Sequence, residues 1–254
     1  QGFAAADVVG GGRPEILLAG GEGLYMIEIP ANPEHGGWPA RNLVPLASDE
    51  GLAAGDIDGD GDIDIAASRF IKEGEWDVPR RLFWWENPEK GKGAASIHEI
   101  HASVNDIDRI EVGDINGDGR ADIIYSEERY PGPDPDARLV WLENPGDPAV
   151  GDWEDHLVIT QHSMNNLDVG DVDGDGDLDI VTNEHKGETY HTQVFENDGS
   201  GNLTMRVVDT GKEMHLGAQL ADFDGDGDLD IFGHAWDHYQ YLHLWRNDRG
   251  ETKQ

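Results

Sequence analysis

The sequence predicts an all-β protein assembled from repeated four-stranded sheets, on three observations. An acidic phrase returns at a near-regular spacing, a second phrase keeps step with it, and short apolar runs broken by turn formers fill the intervals. The acidic phrase reads GDIDGDGDIDIAAS at 55–68, GDINGDGRADIIYS at 113–126, GDVDGDGDLDIVTN at 170–183 and ADFDGDGDLDIFGH at 221–234. A worn copy, ADVVGGGRPEILLA, occupies 6–19. Its leading aspartates, Asp7, Asp56, Asp114, Asp171 and Asp222, lie 49, 58, 57 and 51 residues apart. The second phrase is WWENP at 84–88, WLENP at 141–145, VFENDG at 194–199 and LWRNDR at 244–249. Two markers with one period of about 50 residues indicate a solenoid, a propeller or a domain array.

The elements decide among these. In the third repeat the apolar runs are IEVG, DIIYS, RLVWLEN and WEDHLVITQ, each bounded by Gly, Pro, Asn or Asp. No segment carries a convincing helical period. Four strands per repeat make a β-propeller blade. The repeats run 1–47, 48–104, 105–162, 163–212 and 213–254, which makes 1–254 a single β-propeller domain. The fifth has three strands before the sequence reaches RGETKQ. Five blades either close on themselves or form part of a larger, seven-bladed propeller, and an unpaired outer edge in the last blade leans toward a missing partner segment. Small residues precede the acidic turns, as in GLAAG at 51–55 and LGAQLA at 216–221, which suits crowded innermost strands.

Composition excludes several functions. The 254 residues carry 53 acidic against 18 basic side chains, a net charge of −35, which repels nucleic acid and anionic membranes. No apolar stretch approaches the ~20 residues of a spanning helix. There are no cysteines, hence no disulfide framework. The sequence opens at Gln1 without a basic, then apolar, leader, so a removed signal or a larger parent chain is expected.

The acidic turn has the chemistry of a cation cage. In Asp56-Ile-Asp58-Gly-Asp60-Gly61-Asp62-Ile-Asp64, positions 1, 3, 5 and 9 offer carboxylates, position 7 offers its backbone carbonyl, and Gly61 allows the sharp bend. Hard oxygen donors in that number suit Ca2+ rather than zinc or copper. An EF-hand needs a glutamate at position 12, where this chain has Ala67, Tyr125, Thr182 or Gly233, and strands follow instead of helices. The equivalent sets are Asp114, Asn116, Asp118, Arg120 and Asp122; Asp171, Asp173, Asp175, Asp177 and Asp179; and Asp222, Asp224, Asp226, Asp228 and Asp230, the position-7 member serving through its carbonyl. Four Ca2+ sites are therefore expected. The worn copy keeps Asp7 and Glu15 but has Val9 and Gly11 between them, so none is expected there.

These D-x-[DN]-x-D-G-x-x-D loops at blade spacing resemble the FG-GAP/VCBS repeats of integrin-like propellers. Proteins with such repeats include adhesion modules, lectins, polysaccharide lyases and a fungal sugar dehydratase. The resemblance implies an extracellular or periplasmic, calcium-bound propeller that commonly acts on glycans.

Strand order places the cages at one end of the blades and the loops RFIKEGEWDVPR (69–80), EERYPGPDPDA (127–137), EHKGETYH (184–191) and AWDHYQ (235–240) at the other. Six of eleven histidines, His162, His185, His191, His215, His234 and His238, lie in or beside the loops of that second end. Together with Glu127, Arg109, Asn166 and the aromatics Tyr130, Tyr190, Trp236 and Tyr239 they have what sugar recognition needs, aromatic faces for pyranose rings and polar groups for hydroxyls. The same set, with His185, His215, His234, Glu127 and Arg109 as candidate catalytic residues, could serve β-elimination of an acidic sugar. His185, His215 and His234 could also hold a second metal. Two functions follow as expectations: a secreted propeller that binds glycan or an extracellular protein, or a carbohydrate-active lyase or dehydratase. HEIH at 98–101 departs from the zinc-protease signature and falls on an outer strand, Trp84, Trp85, Trp141 and Trp245 read as packing between blades, and Asn202-Leu-Thr204 has only the form of a sequon.

Overall fold

Strand formation follows from the switch each acidic phrase makes, from alternating aspartates into β-branched and small apolar residues. A computed structural model describes residues 2–20, 23–44, 47–69, 80–88, 90, 94–129, 132, 134–214, 217–235 and 242–249. Its first sheet holds β1 (Phe3–Ala6), β2 (Glu15–Gly20), β3 (Gly23–Ile27) and β4 (Ala40–Val44). The second holds β5 (Ala47–Gly55), β6 (Asp64–Arg69), β7 (Arg80–Glu86) and β8 (Ser96–Ser103). The third holds β9 (Asp106–Gly113), β10 (Asp122–Glu128), β11 (Ala137–Glu143) and β12 (Glu154–Gln161). The fourth holds β13 (Asp168–Gly170), β14 (Asp179–Asn183), β15 (Thr192–Asn197) and β16 (Leu203–Asp209), and the fifth β17 (Gln219–Ala221), β18 (Asp230–His234) and β19 (Leu242–Trp245). One 3-10 turn, Pro33–His35, is the sole helical element among the described residues. The fold class is the all-β propeller, with its strands meandering in chain order within each sheet.

In the third sheet the second and third strands, β10 and β11, are buried on both faces and read as nearly continuous apolar runs; outer strands such as β8 and β12 alternate toward solvent. The chain divides into two compact units. One comprises 1–112, 120–125 and 142–156, the other 113–119, 126–141 and 157–254, so the third sheet contributes to both. In the first unit Val8, Leu17, Leu24, Met26 and Val44 of the first sheet pack on Leu52, Ile65, Ala67, Phe83 and Trp85 of the second. In the second unit Val181 and Val194 of the fourth sheet pack with Ile231, Leu220 and Trp245 of the fifth.

In the second, third and fourth sheets the first strand ends in a closely packed glycine. A Cβ on Gly55 would stand 2.5 Å from Cγ1 of Val112, one on Gly113 2.6 Å from Cδ1 of Leu178, and one on Gly170 2.8 Å from Cδ1 of Leu229. The small residues before the acidic turns therefore admit a side chain of the following sheet.

The second sequence marker has a bonding function that its sequence does not announce. Asn87, Asn144, Asn197 and Asn247 each end a third strand or lie within two residues of its end. Their side-chain amides donate into the acidic turn of the preceding sheet, to the carbonyls of Val8, Ile57, Ile115 and Val172 at 2.8, 2.8, 2.7 and 2.8 Å. The same amides donate to their own sheet's turn, at Ile63, Ala121, Leu178 and Leu229. Each asparagine thus latches two consecutive sheets and satisfies carbonyls that burial would otherwise orphan.

Candidate metal centre

Each acidic turn joins the first strand of a sheet to the second and repeats its bonds. Asp56 accepts the N–H groups of Gly59 and Gly61 at 2.9 and 3.1 Å. Asp114 does so from Gly117 and Gly119, Asp171 from Gly174 and Gly176, and Asp222 from Gly225 and Gly227. The position-6 glycine bends the turn in the left-handed region, at φ +89° for Gly61 and +100° for Gly176. Position 9 is anchored twice: Asp64 accepts from the backbone N–H of Ile57 at 3.0 Å and of Asn87 at 2.8 Å. Asp179 and Asp230 repeat this with Val172 and Asn197, and with Phe223 and Asn247.

With first and ninth residues so fixed, carboxylates converge. Ligand atoms of Asp56, Asp58 and Asp64 lie within 4.8 Å of one another, as do those of Asp171, Asp173 and Asp179 and those of Asp222, Asp224 and Asp230. The turn at 114–122 has the same backbone frame with an amide oxygen at its third position, where Asn116 accepts from the N–H of Asp118 at 3.1 Å. At position 5, Asp60 and Asp175 accept the N–H of Asp62 and Asp177. At position 7 the side chains turn to other work: Asp62 accepts from the backbone N–H of Lys90, and Arg120 donates to the carbonyl of Asn144. In these two turns position 7 is left with its carbonyl to give a cation. The worn turn keeps the frame but lacks the donors, since Glu15 accepts from Val8 and Val9 while Val9 and Gly11 carry no oxygen in their side chains.

Electrostatics in these loops favour a cation. Burial raises Asp58, and neighbouring Asp60, Asp56 and Glu86 raise it further against one backbone hydrogen bond. Burial pushes Asp64 up to about 7 despite bonds from Asn87 and Ile57, and it raises Asp179 as well. One oxygen of Asp173, Oδ1, is buried without a hydrogen-bond partner. A hard divalent cation would supply the missing partner and neutralise the repulsion.

Toward the other ends of the sheets lie those predicted catalytic residues that are among the described ones. Glu127, buried at the end of β10, accepts from the backbone N–H and guanidinium of Arg138 at 2.8–3.1 Å. His185 is buried, its backbone N–H donating to the Ser163 carbonyl and its Nδ1 3.6 Å from Glu213 Oε1. Neighbouring Glu184 is bonded to Nδ1 of His162 at 2.8 Å and accepts from Thr189. Burial would raise its pKa, but those bonds outweigh burial and hold it below the ordinary value. Arg109 lies 3.5 Å from Asp108 and 3.9 Å from Glu50. His234 ends β18 opposite Leu242. Asn166, expected as a funnel residue, ties β14 to the next connection: it accepts from Asn183 N–H and Thr182, and donates to the Met214 carbonyl. His215, Tyr130, Trp236, His238, Tyr239 and most of the loop at 69–80 lie outside the described residues. On the outer strand His98 meets Glu86 at 2.8 Å and stacks on Trp84, while His101 meets Tyr125 at 2.9 Å, so HEIH serves packing. The latch asparagines were legible only as a second marker, which follows the leading aspartate of each acidic turn by 25 to 31 residues.

No family model matches the chain, and no curated protein matches it. A solved structure of a mutant Photorhabdus luminescens Tc holotoxin pore is similar at 14% identity and a TM-score of 0.40, over 97% of this chain and 14% of that one. The chain thus spans a small part of that protein's length, and a likeness of this degree carries no argument about function.

Proposed function

We propose that this chain is a calcium-stabilised propeller of the FG-GAP/VCBS type that works outside the cytoplasm as a binding scaffold for a glycan or an extracellular protein. The observation that carries it is the repeated convergence of carboxylates from positions 1, 3 and 9 within 4.8 Å, on turns whose backbone is already fixed. Calcium bound there would supply positive charge and coordination; Asp56, Asp58, Asp60 and Asp64 and their equivalents would hold it, with the position-7 carbonyl. The strong net negative charge of −35 argues against nucleic acid as the partner. No helix among the described residues is long and apolar enough to cross a membrane.

Binding is favoured over catalysis by the opposite ends of the sheets. A lyase or dehydratase would gather its acid, base and carboxylate holder around one substrate, whereas Glu127, His185 and Arg109 are engaged with Arg138, Glu213 and Asp108. Calorimetric titration of chelator-treated protein with Ca2+, beside a glycan array and an absorbance screen for unsaturated uronic products, tests the reading. Heat of binding at several sites with glycan capture and no product supports it. Absence of calcium binding removes its foundation, and product formation replaces scaffold with enzyme.

A further inference from the structure

Each sheet in this chain has two apolar faces, and their equivalence can be read from register. Ile16 pairs with Ile27 and Leu17 with Met26 in the first sheet; Ile180 pairs with Phe195 and Val181 with Val194 in the fourth; Ile231 pairs with Trp245 and Phe232 with Leu244 in the fifth. Leu17, Met26 and Leu24, together with Val8 from the acidic turn, form the face that the second sheet covers, and all are buried. Val172, Val181 and Val194 form the same face of the fourth sheet, covered by the fifth. The counterparts in the fifth sheet are Phe223, Phe232, Leu242 and Leu244. There Phe223 is 51%, Leu244 53% and Leu242 73% exposed, and the Phe223 and Phe232 rings lean together at 5.6 Å.

A polar feature accompanies this apolar face. The position-2 carbonyls of the first four acidic turns, at Val8, Ile57, Ile115 and Val172, each receive a latch amide from the following sheet. The fifth turn has the same frame, Phe223 N–H on Asp230 included, but no latch amide reaches the Phe223 carbonyl among the described residues. The first sheet cannot supply one. By register with Asn87 its latch position is Ile29, so a second copy of this chain would present a side chain without a donor.

We propose that the uncovered face of the fifth sheet, built by Phe223, Phe232, Leu242 and Leu244, is a docking surface for a further repeat of the same kind. That repeat's third strand ends in asparagine, and its amide seats on the Phe223 carbonyl. Such a joint continues one made four times in the same chain, each with a latch amide on the position-2 carbonyl of the preceding acidic turn. Apolar area alone would fit many partners, whereas an apolar face joined to a carbonyl of fixed direction fits a latch-bearing sheet.

The absence of cysteine allows a direct test. Residues 198–247 run from just beyond one latch asparagine to the next, so inserting a second copy of them directly after Asn247 supplies an outer strand for the fifth sheet and a following sheet with its own latch. Leu244→Cys in the original copy gives one thiol, whose alkylation rate is compared with and without the insertion. Docking predicts that the insertion slows alkylation roughly tenfold or more and raises the melting temperature. Replacing the asparagine that ends the inserted copy by alanine should reverse part of that rise. Alkylation as fast as in the chain without the insertion, or an inserted copy digested by protease while the remainder resists, overturns the proposal. So does concentration-dependent protection of the thiol without the insertion, which would make the occupant a second copy of this chain.

Discussion

The side-chain amide of Asn144 lies 2.8 Å from the carbonyl of Ile57, a residue 87 positions earlier in the chain. It also donates to Ala121, while its backbone N–H is held by Asp122. One side chain therefore closes two acidic turns, and removing it orphans one buried and one partly buried carbonyl. Asn144→Ala should destabilise the protein by about 2–4 kcal/mol, from the cost of leaving buried acceptors unsatisfied. Urea unfolding followed by circular dichroism would show it; a loss close to that of an exposed substitution, about 0.5 kcal/mol or less, would mean the latch is incidental.

Calcium and repulsion make opposite demands on Asp58. In the metal-free loop it adds to a crowd of buried and neighbouring negative charge, whereas in a loaded loop it would be a ligand. Asp58→Asn should accordingly raise the melting temperature in chelator and lower it in saturating Ca2+. Differential scanning calorimetry in both conditions reads the sign. Shifts in one direction under both would show that Asp58 does not ligate.

Close approach at Gly55 can be probed by rescue. A methyl group there meets Val112 at 2.5 Å, an overlap that cores of this density relieve at about 1–3 kcal/mol. Gly55→Ala alone should be destabilised to that extent. Val112→Ala added to it should recover part of the loss, so the double variant should be more stable than the sum of the two single changes implies. Simple additivity would place the strain elsewhere.

Asp209 gives a pH signature away from the candidate metal ligands. Lys212 first, then the indole of Trp245, holds its carboxyl down at about 2. An aspartate depressed in the folded state contributes stability that is present above its unfolded pKa of about 3.9 and is lost as pH falls through the folded value. Asp209→Asn should therefore be less stable than the parent at neutral pH, with the gap closing between about pH 4 and 2. Denaturant midpoints at pH 7, 5 and 3 would follow it, and a gap that widens on acidification would contradict the assignment.

Much of this architecture was legible because repetition amplifies a weak signal. A single GDIDGDGDIDI could be an acidic surface turn; four at blade spacing, each leading into a strand, gave the sheets and the oxygen donors together. The bonds between sheets were less legible. Asn87, Asn144, Asn197 and Asn247 marked the period, yet their acceptors stand 75 to 87 residues earlier, and a sequence gives no direction to a side chain. Histidine placement was hard to read for a related reason. The excess of histidines in loops suggests a shared site, but loop membership does not fix orientation. His185 turns into the interior toward Glu213, His162 toward Glu184, and Arg109 toward acids of its own surroundings.

The junction carried by each latch has a consequence for how such a protein can change length. A segment cut from just after one asparagine to the next holds both halves of a joint, its own donor at one end and the acceptor turn for its successor within. Tandem duplication of that segment in a gene would lengthen the array without any new surface having to arise, and deletion would shorten it with the flanking sheets still matched. The uneven steps of 49 to 58 residues show that segment size can vary while the joint recurs. Growth by copying is built into where the donor sits.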